Sequence, residues 1–354
     1  MDPLDLTADI VTLTRALVDQ PSESLHEAEL ADAVETALRA SDHLDVVRDG
    51  HTIVARTQLG RSERVVIAGH IDTVPENRNL PSRLEGDTLW GLGTCDMKGG
   101  AAIALSLAAA VTEPVRDVTW VFYDAEEIAA VHNGLGRVAR EHPEWLAGDF
   151  AILMEPSNAG VEAGCQGTMR IEIRTTGERA HSARSWMGHN AIHDLSPVLA
   201  TLAAYTPRTV DIDGLTYREG LNAVGVRGGV SGNVIPDDAV LTINYRFAPD
   251  LDEAAALAHL REVFAGHDVT VTDSAPGALP GLERPAAAAF IEAVGGQVGP
   301  KFGWTDVAKF TQLGVPAVNY GPGDPRYAHK ADEQVPVEHL HRVHDRLGAW
   351  LRGA

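Results

Sequence analysis

RVVIAGHID, from Arg64 to Asp72, is a short β-rich run, nearly all apolar, that ends on two polar residues, His70 and Asp72. A strand covered on both faces reads as a continuous hydrophobic stretch rather than as an alternation. VTWVFY (Val118–Tyr123) and FAILM (Phe150–Met154) share that character, with alanine-rich helical stretches between the runs. Strands interleaved with helices predict an α/β fold: a catalytic α/β sandwich around a mixed sheet, with its chemistry on loops at the strands' carboxyl ends.

Upstream, Leu6, Ile10, Leu13 and Leu17 recur at helical spacing within Leu4–Asp19, and a second helix is predicted over Leu25–Arg39. DVVRDGHTIVAR follows, with Asp49-Gly50 as a hairpin signal. The pattern changes at Gln166. TMRIEIRTT alternates, as a strand wetted on one face should, and a helix is predicted from about Asn190 to Tyr205. Strands near Ala223–Val230 and Ala239–Phe247, a helix over Asp252–Phe264 and HDVTVTD complete the order β-α-β-β-α-β. That order is the α+β split-βαβ (ferredoxin-like) plan. The expected organisation is a catalytic domain of residues 1–165 and 276–354, interrupted by an inserted domain of residues 166–275.

Composition narrows the function. A formal net charge of -21 over 354 residues argues against nucleic acid and against an anionic membrane as partner. With only Cys95 and Cys165 there is no disulfide framework, which suits a reducing cytoplasm. MDPLDLTADI lacks the basic and apolar regions of a signal peptide. AAIALSLAAAV, from Ala101, is far shorter than the roughly 20 residues that span a bilayer, so it is read as a buried helix. A soluble, cytoplasmic protein is expected. No Walker A loop, G-x-S-x-G elbow or complete dinucleotide fingerprint is present.

Five side chains of metal-ligating type stand where strands could end: His70 in GHID, Asp96 in GLGTCDMKGG, Glu127 in DAEE, Glu155 in MEPS and His329 in YAHKADE. Two imidazoles and three carboxylates suit zinc, or failing that cobalt or manganese. Five ligands are too many for one tetrahedral ion. They serve two ions that share a carboxylate, each keeping a position open for water or substrate. The set reads as a two-metal hydrolase.

Each residue has a plainer reading beside this one. His70 could be an ordinary strand-end histidine; in the metal reading Asp72, two residues on, orients its imidazole. Asp96 could cap the following helix, or bridge two ions roughly 3.5–4 Å apart. Glu126 and Glu127 could begin a solvated helix. At a strand-end turn they can instead divide the work, one ligating and the other acting as general base toward a water whose pKa the metal lowers to about 7. Cys95 is read as a small buried side chain.

At these residues the chain resembles the cocatalytic dizinc amidohydrolases, a family that includes acetylornithine deacetylase, carboxypeptidase G, aminoacylase and succinyl-diaminopimelate desuccinylase. The matching pieces are GHIDTVP, GLGTCDMKGG, DAEE, MEPS, GERAHSARSWMGHNAI, GGVSGNVIP and AHKADE, spread over nearly the whole chain. The resemblance implies two zinc ions, one held by His70, Asp96 and Glu155, the other by Asp96, Glu127 and His329. It makes Glu126 the general base and later the proton donor to the leaving amine, and implies a cis peptide at Asp96–Met97. It implies that the insert is a lid and dimerisation domain of a homodimer, whose His181 stabilises the oxyanion in the neighbouring site. Asn233 and Arg246 would bind the substrate carboxylate, with Arg184 and Arg170 as weaker candidates, and Thr305 would also contact substrate.

GHIDTVPENRNLP, WGLGTCDMKGG, YDAEEIAAVHNGLGRV and HSARSWMGHNAIH look most like the bacterial desuccinylase subfamily. Hydrolysis of N-succinyl-LL-2,6-diaminopimelate is then implied, an anionic N-acyl amino acid substrate. An N-acetylornithine or other N-acyl-amino-acid deacylase is the alternative. Two departures from the family pattern bear on acyl specificity: Gly303-Trp304-Thr305-Asp306-Val307 replaces the common G-[TS]-S-D-G, and Ile128 follows the glutamate pair where many relatives carry glycine.

Overall fold

The computed structural model describes residues 3–354, so the first two residues of the acidic N-terminal stretch lie outside the described residues. The chain divides into two compact units. One runs up to Gly164 and takes in Pro280–Gly299 and Thr305–Ala354; the other comprises Cys165–Leu279 and Pro300–Trp304.

The first unit is built on an eight-stranded sheet in the order Asp45–Asp49, Thr52–Arg56, Asp117–Tyr123, Arg64–His70, Phe150–Leu153, Ala317–Asn319, Val161–Ala163, Val298–Pro300. Its central four strands are parallel. The neighbouring pairs on either side are antiparallel, so the sheet is mixed as the sequence implies. Asp117–Tyr123 and Phe150–Leu153 are buried at every residue, which is why they carry no alternation.

The alanine-rich segment forms the helix Lys98–Ala110, buried from Lys98 through Ala108. A Cβ on Gly100 would stand 2.2 Å from the Met154 carbonyl oxygen. Bare backbone at this point lets the helix start press against the end of a sheet strand.

Two helices begin later than their hydrophobic periodicity suggests, each for a local reason. The Asp9 carboxylate accepts the Val11 and Thr12 N–H groups, so the first helix is Ile10–Val18. Leu25 takes a left-handed φ of 73° and the Glu27 carboxylate accepts its N–H, delaying the second helix to Ala28–Arg39.

The second unit carries an antiparallel sheet ordered Gly220–Gly228, Asp238–Phe247, Gly167–Thr176, Val269–Ala275. The helices Ser196–Ala204 and Glu253–Val263 supply buried Val198, Ala256 and Leu260 to a core with Ile171, Ile243, Tyr245 and Phe247. This is the split-βαβ arrangement. The first of these helices is shorter than expected, because His193–Leu195 forms a 3-10 turn before it. An additional hairpin, Thr209–Ile212 with Leu215–Arg218, turns on Asp213-Gly214, both at positive φ. Asp-Gly is a hairpin signal the sequence reading passed over. At the unit's ends Cys165 and Ala278 exchange both backbone hydrogen bonds at 3.0 Å.

Candidate metal centre

His70 is the last residue of Arg64–His70 and lies in register with Tyr123, the last residue of the neighbouring parallel strand. After Tyr123 the chain turns at Ala125, whose φ is 56°, and presents Glu126 and Glu127 beyond the strand end. Glu155 follows Phe150–Leu153 by two residues and is 5% exposed. His329 follows the Ala317–Asn319 strand and a loop, at a left-handed φ of 63° that few non-glycine residues adopt. Asp96 precedes the helix Lys98–Ala110 but does not cap it. The cap position is Met97, which makes no side-chain capping bond, and the Asp96–Met97 peptide is cis.

The Asp96 carboxylate stands between the two imidazoles. His70 Nε2 is 3.3 Å from Oδ1, and His329 Nε2 is 3.3 Å from Oδ2. His329 Nε2 also lies 2.9 Å from Glu127 Oε2. Donor atoms of His70, Asp96 and Glu127 all fall within 4.8 Å of one another.

Asp72 underlies this group. The His70 Nδ1 is 3.0 Å from the Asp72 carbonyl oxygen and 3.4 Å from its Oδ1, so the main-chain oxygen, not the carboxylate, is the nearer acceptor. The carboxylate instead accepts the Glu126 N–H at Oδ1 (3.0 Å), and at Oδ2 the Glu127 N–H (3.2 Å) and the Ser24 hydroxyl (2.7 Å). One carboxylate thus fixes the turn that carries both glutamates.

Electrostatics mark the same place. Burial alone would lower the His70 pKa, but Asp72 and Asp96 outweigh it and hold the imidazole well above its ordinary range. Asp96 and Glu127 raise His329 to about 11. Burial opposes ionisation of Asp96, yet His329 and His70 keep its carboxyl below the usual value. Burial pushes the Glu126 carboxyl well up; His70 opposes this, while Glu155, Asp306 and Glu127 add to it. So many carboxylates converging at low exposure favour concentrated positive charge among them. Divalent cations fit this donor set of imidazole nitrogens and carboxylate oxygens.

Several supporting residues escaped the sequence reading. Glu333, in AHKADE, is 1% exposed, and its Oε1 accepts the Cys95 and Asp96 N–H groups at 3.0 Å each. Lys98 is buried, with Nζ donating to the Gln20 carbonyl at 2.7 Å. Asp306 is buried and accepts from Asn133 Nδ2 at 2.8 Å. For Lys98 and Asp306 the available signal was a charged residue inside a glycine-bearing segment; Glu333 had none.

Thr305 is buried in the first unit, where its hydroxyl donates to Asn319 Oδ1 at 2.9 Å. The remaining expected residues lie in the second unit. His181 is exposed and its Nδ1 accepts the Ala183 N–H at 3.1 Å. Asn233 is beside it, joined through the Ser182 N–H to the Asn233 carbonyl at 2.9 Å. Arg246 is half-buried on Asp238–Phe247 and, among the described residues, has no carboxylate within ion-pairing distance. Arg170, by contrast, lies 3.7 Å from Asp273.

A model of peptidase family M20/M25/M40 matches residues 66–352. A Mycobacterium tuberculosis protein provisionally named succinyl-diaminopimelate desuccinylase is 59% identical, over 99% of this chain and 100% of its own. A Corynebacterium glutamicum succinyl-diaminopimelate desuccinylase is 49% identical, over 98% of this chain and 97% of its own. Among solved structures, a tripeptidase from Staphylococcus aureus matches with a TM-score of 0.80 at 19% identity, covering 97% of each chain, a likeness of fold.

Proposed function

The chain belongs to peptidase family M20/M25/M40 and is a metal-dependent hydrolase, and from that premise we propose that it cleaves N-succinyl-LL-2,6-diaminopimelate to succinate and LL-2,6-diaminopimelate. The observation that carries the two-metal chemistry is Asp96, facing His70 through one oxygen and His329 through the other. The acyl group is inferred from the names of the two relatives at 59% and 49% identity.

In this reading His70, Asp96 and Glu155 hold one zinc, and Asp96, Glu127 and His329 the other; cobalt or manganese could substitute. Bound cations would supply Lewis acidity at the scissile carbonyl and make water a nucleophile near neutral pH. Glu126, free of ligand duty, takes the proton of the attacking water as its oxygen bonds to the amide carbon. It returns that proton to the nitrogen as the C–N bond breaks. Asp72 keeps His70 and the Glu126–Glu127 turn in place.

Arg246 binds a substrate carboxylate, a role that its partial burial without an ion pair supports. Asn233 assists it and Thr305 also contacts substrate, while His181 stabilises the oxyanion in the neighbouring protomer's site. We further propose a homodimer formed through the inserted unit. Its edge strand Gly220–Gly228 leaves Val224 and Val226 59% and 66% exposed beside unpaired backbone, a surface suited to pairing. A cytoplasmic setting accords with two buried cysteines that form no disulfide. No helix among the described residues is long and apolar enough to cross a membrane.

Free-amine release from N-succinyl-LL-diaminopimelate by the zinc-loaded protein tests the assignment, with N-acetylornithine in parallel. Selective turnover of the succinyl substrate is expected; turnover of the acetyl substrate alone would overturn the acyl assignment while keeping the chemistry.

A further inference from the structure

The loop that carries Asp96 and the turn that carries His329 are far apart in sequence, and a single buried side chain joins them. Glu333 closes the His329 turn through its own N–H, which donates to the Lys330 carbonyl at 3.1 Å. Its carbonyl accepts the Gly91 N–H at 3.1 Å. Its Oε1 accepts the N–H groups of Cys95 and Asp96 at 3.0 Å each. The Gly93 N–H adds a further hydrogen bond to the carboxylate. The loop from Gly91 to Asp96 is therefore held to one residue, four positions beyond His329.

At the other end of Asp96, Oδ2 faces His329 Nε2 at 3.3 Å. The Asp96 backbone and side chain are thus both referenced to the same short turn. No other described residue accepts the Asp96 N–H. A carboxylate that must present two oxygens in two directions is sensitive to rotation of its own backbone, and this bond removes that freedom.

We propose that Glu333 is a positioning residue for Asp96, setting the orientation in which this carboxylate is shared by two cations. The inference rests on the two-metal reading above, and Glu333 itself touches neither cation nor substrate. It acts by accepting hydrogen bonds, so acceptor geometry matters more than a formal charge.

Metal-free wild type, Glu333→Ala, Glu333→Gln and Glu333→Asp are titrated with cobalt(II), following its visible absorption, and by calorimetry with zinc. Loss of an outer hydrogen-bond partner commonly weakens metal binding roughly ten- to a hundredfold, the loss expected for Glu333→Ala. Glu333→Asp, one methylene short, should lose affinity similarly. Glu333→Gln keeps an acceptor oxygen in place and should stay within about threefold of wild type, with kcat following affinity across the series and KM unchanged.

If Glu333→Ala proves unable to fold, the Asp and Gln variants still decide the matter. Wild-type affinity in a folded Ala or Asp variant overturns the proposal, as does a Gln variant as weak as Ala. Wild type binding only one cobalt would instead refute the two-metal reading itself, which separates the two failures.

Discussion

The Asp72 carboxylate accepts the backbone N–H of Glu126 through Oδ1 at 3.0 Å, so the residue two positions beyond His70 also locates the proposed base. Asp72→Asn substitutes an N–H donor where an acceptor is needed, since both oxygens receive donors. Metal affinity should fall roughly ten- to a hundredfold, with kcat falling further because the glutamate turn loosens as well. Zinc titration and steady-state kinetics on one preparation measure both.

Glu126→Gln retains shape and removes the proton acceptor. A drop of about 10²–10⁴ in kcat is expected, with cation stoichiometry by elemental analysis the same as wild type. Activity near the wild-type level would exclude Glu126 as the base.

Arg246→Ala should raise KM by roughly ten- to a hundredfold, matching about 1.5–3 kcal/mol for a charge-assisted hydrogen bond. Metal content should not change. An unaltered KM would remove Arg246 from substrate binding.

Gly100→Ala introduces a methyl 2.2 Å from the Met154 carbonyl, a backbone atom that cannot swing aside. Overpacking of this kind costs about 1–3 kcal/mol. The displaced strand end leads directly into Glu155, so calorimetric melting temperature and cation affinity should fall together.

Asp117, at the opposite end of Asp117–Tyr123 from the glutamate turn, offers a pH test. Burial alone would raise its carboxyl, but the Leu59 N–H, the Thr57 hydroxyl, the Arg61 N–H and the Arg64 charge hold it below the ordinary value of 3.8. A depressed folded pKa contributes stability that is present above 3.8 and lost as pH falls through the folded value. Asp117→Asn should therefore lower the melting temperature at neutral pH, and its deficit should shrink in the acid range. Thermal melts from neutral to strongly acid pH give the comparison.

The sheet, and the placing of His70, Glu126, Glu127 and Glu155 at or just past its strand ends, were legible because burial on both faces leaves uninterrupted apolar runs; Asp96 and His329 stand on loops instead. Helix starts were less legible, since Asp9 and Glu27 override periodicity with side chain to backbone bonds. The hairpin at Asp213-Gly214 carried its full signal, with Val210, Ile212, Leu215 and Tyr217 alternating with polar residues around the turn, and the sequence reading still passed over it. Glu333 could not be read at all as a partner of Asp96, because their bond closes across 237 positions. The Asp72 main-chain oxygen facing His70 is likewise invisible in sequence, which specifies side chains but not which backbone atom turns inward.

Cys165 and Ala278, exchanging both their backbone bonds, bring the two ends of the second unit to about 5.5 Å, the spacing of a hydrogen-bonded antiparallel pair. A gap that small can be closed by one or two residues. The Cys165–Leu279 stretch is therefore graftable at its junction, where splicing Gly164 to Pro280 asks little of the backbone, provided that Pro300–Trp304 of the same unit is exchanged with it. Exchanging this module between related enzymes would separate what the metal-bearing scaffold contributes from what the insert adds.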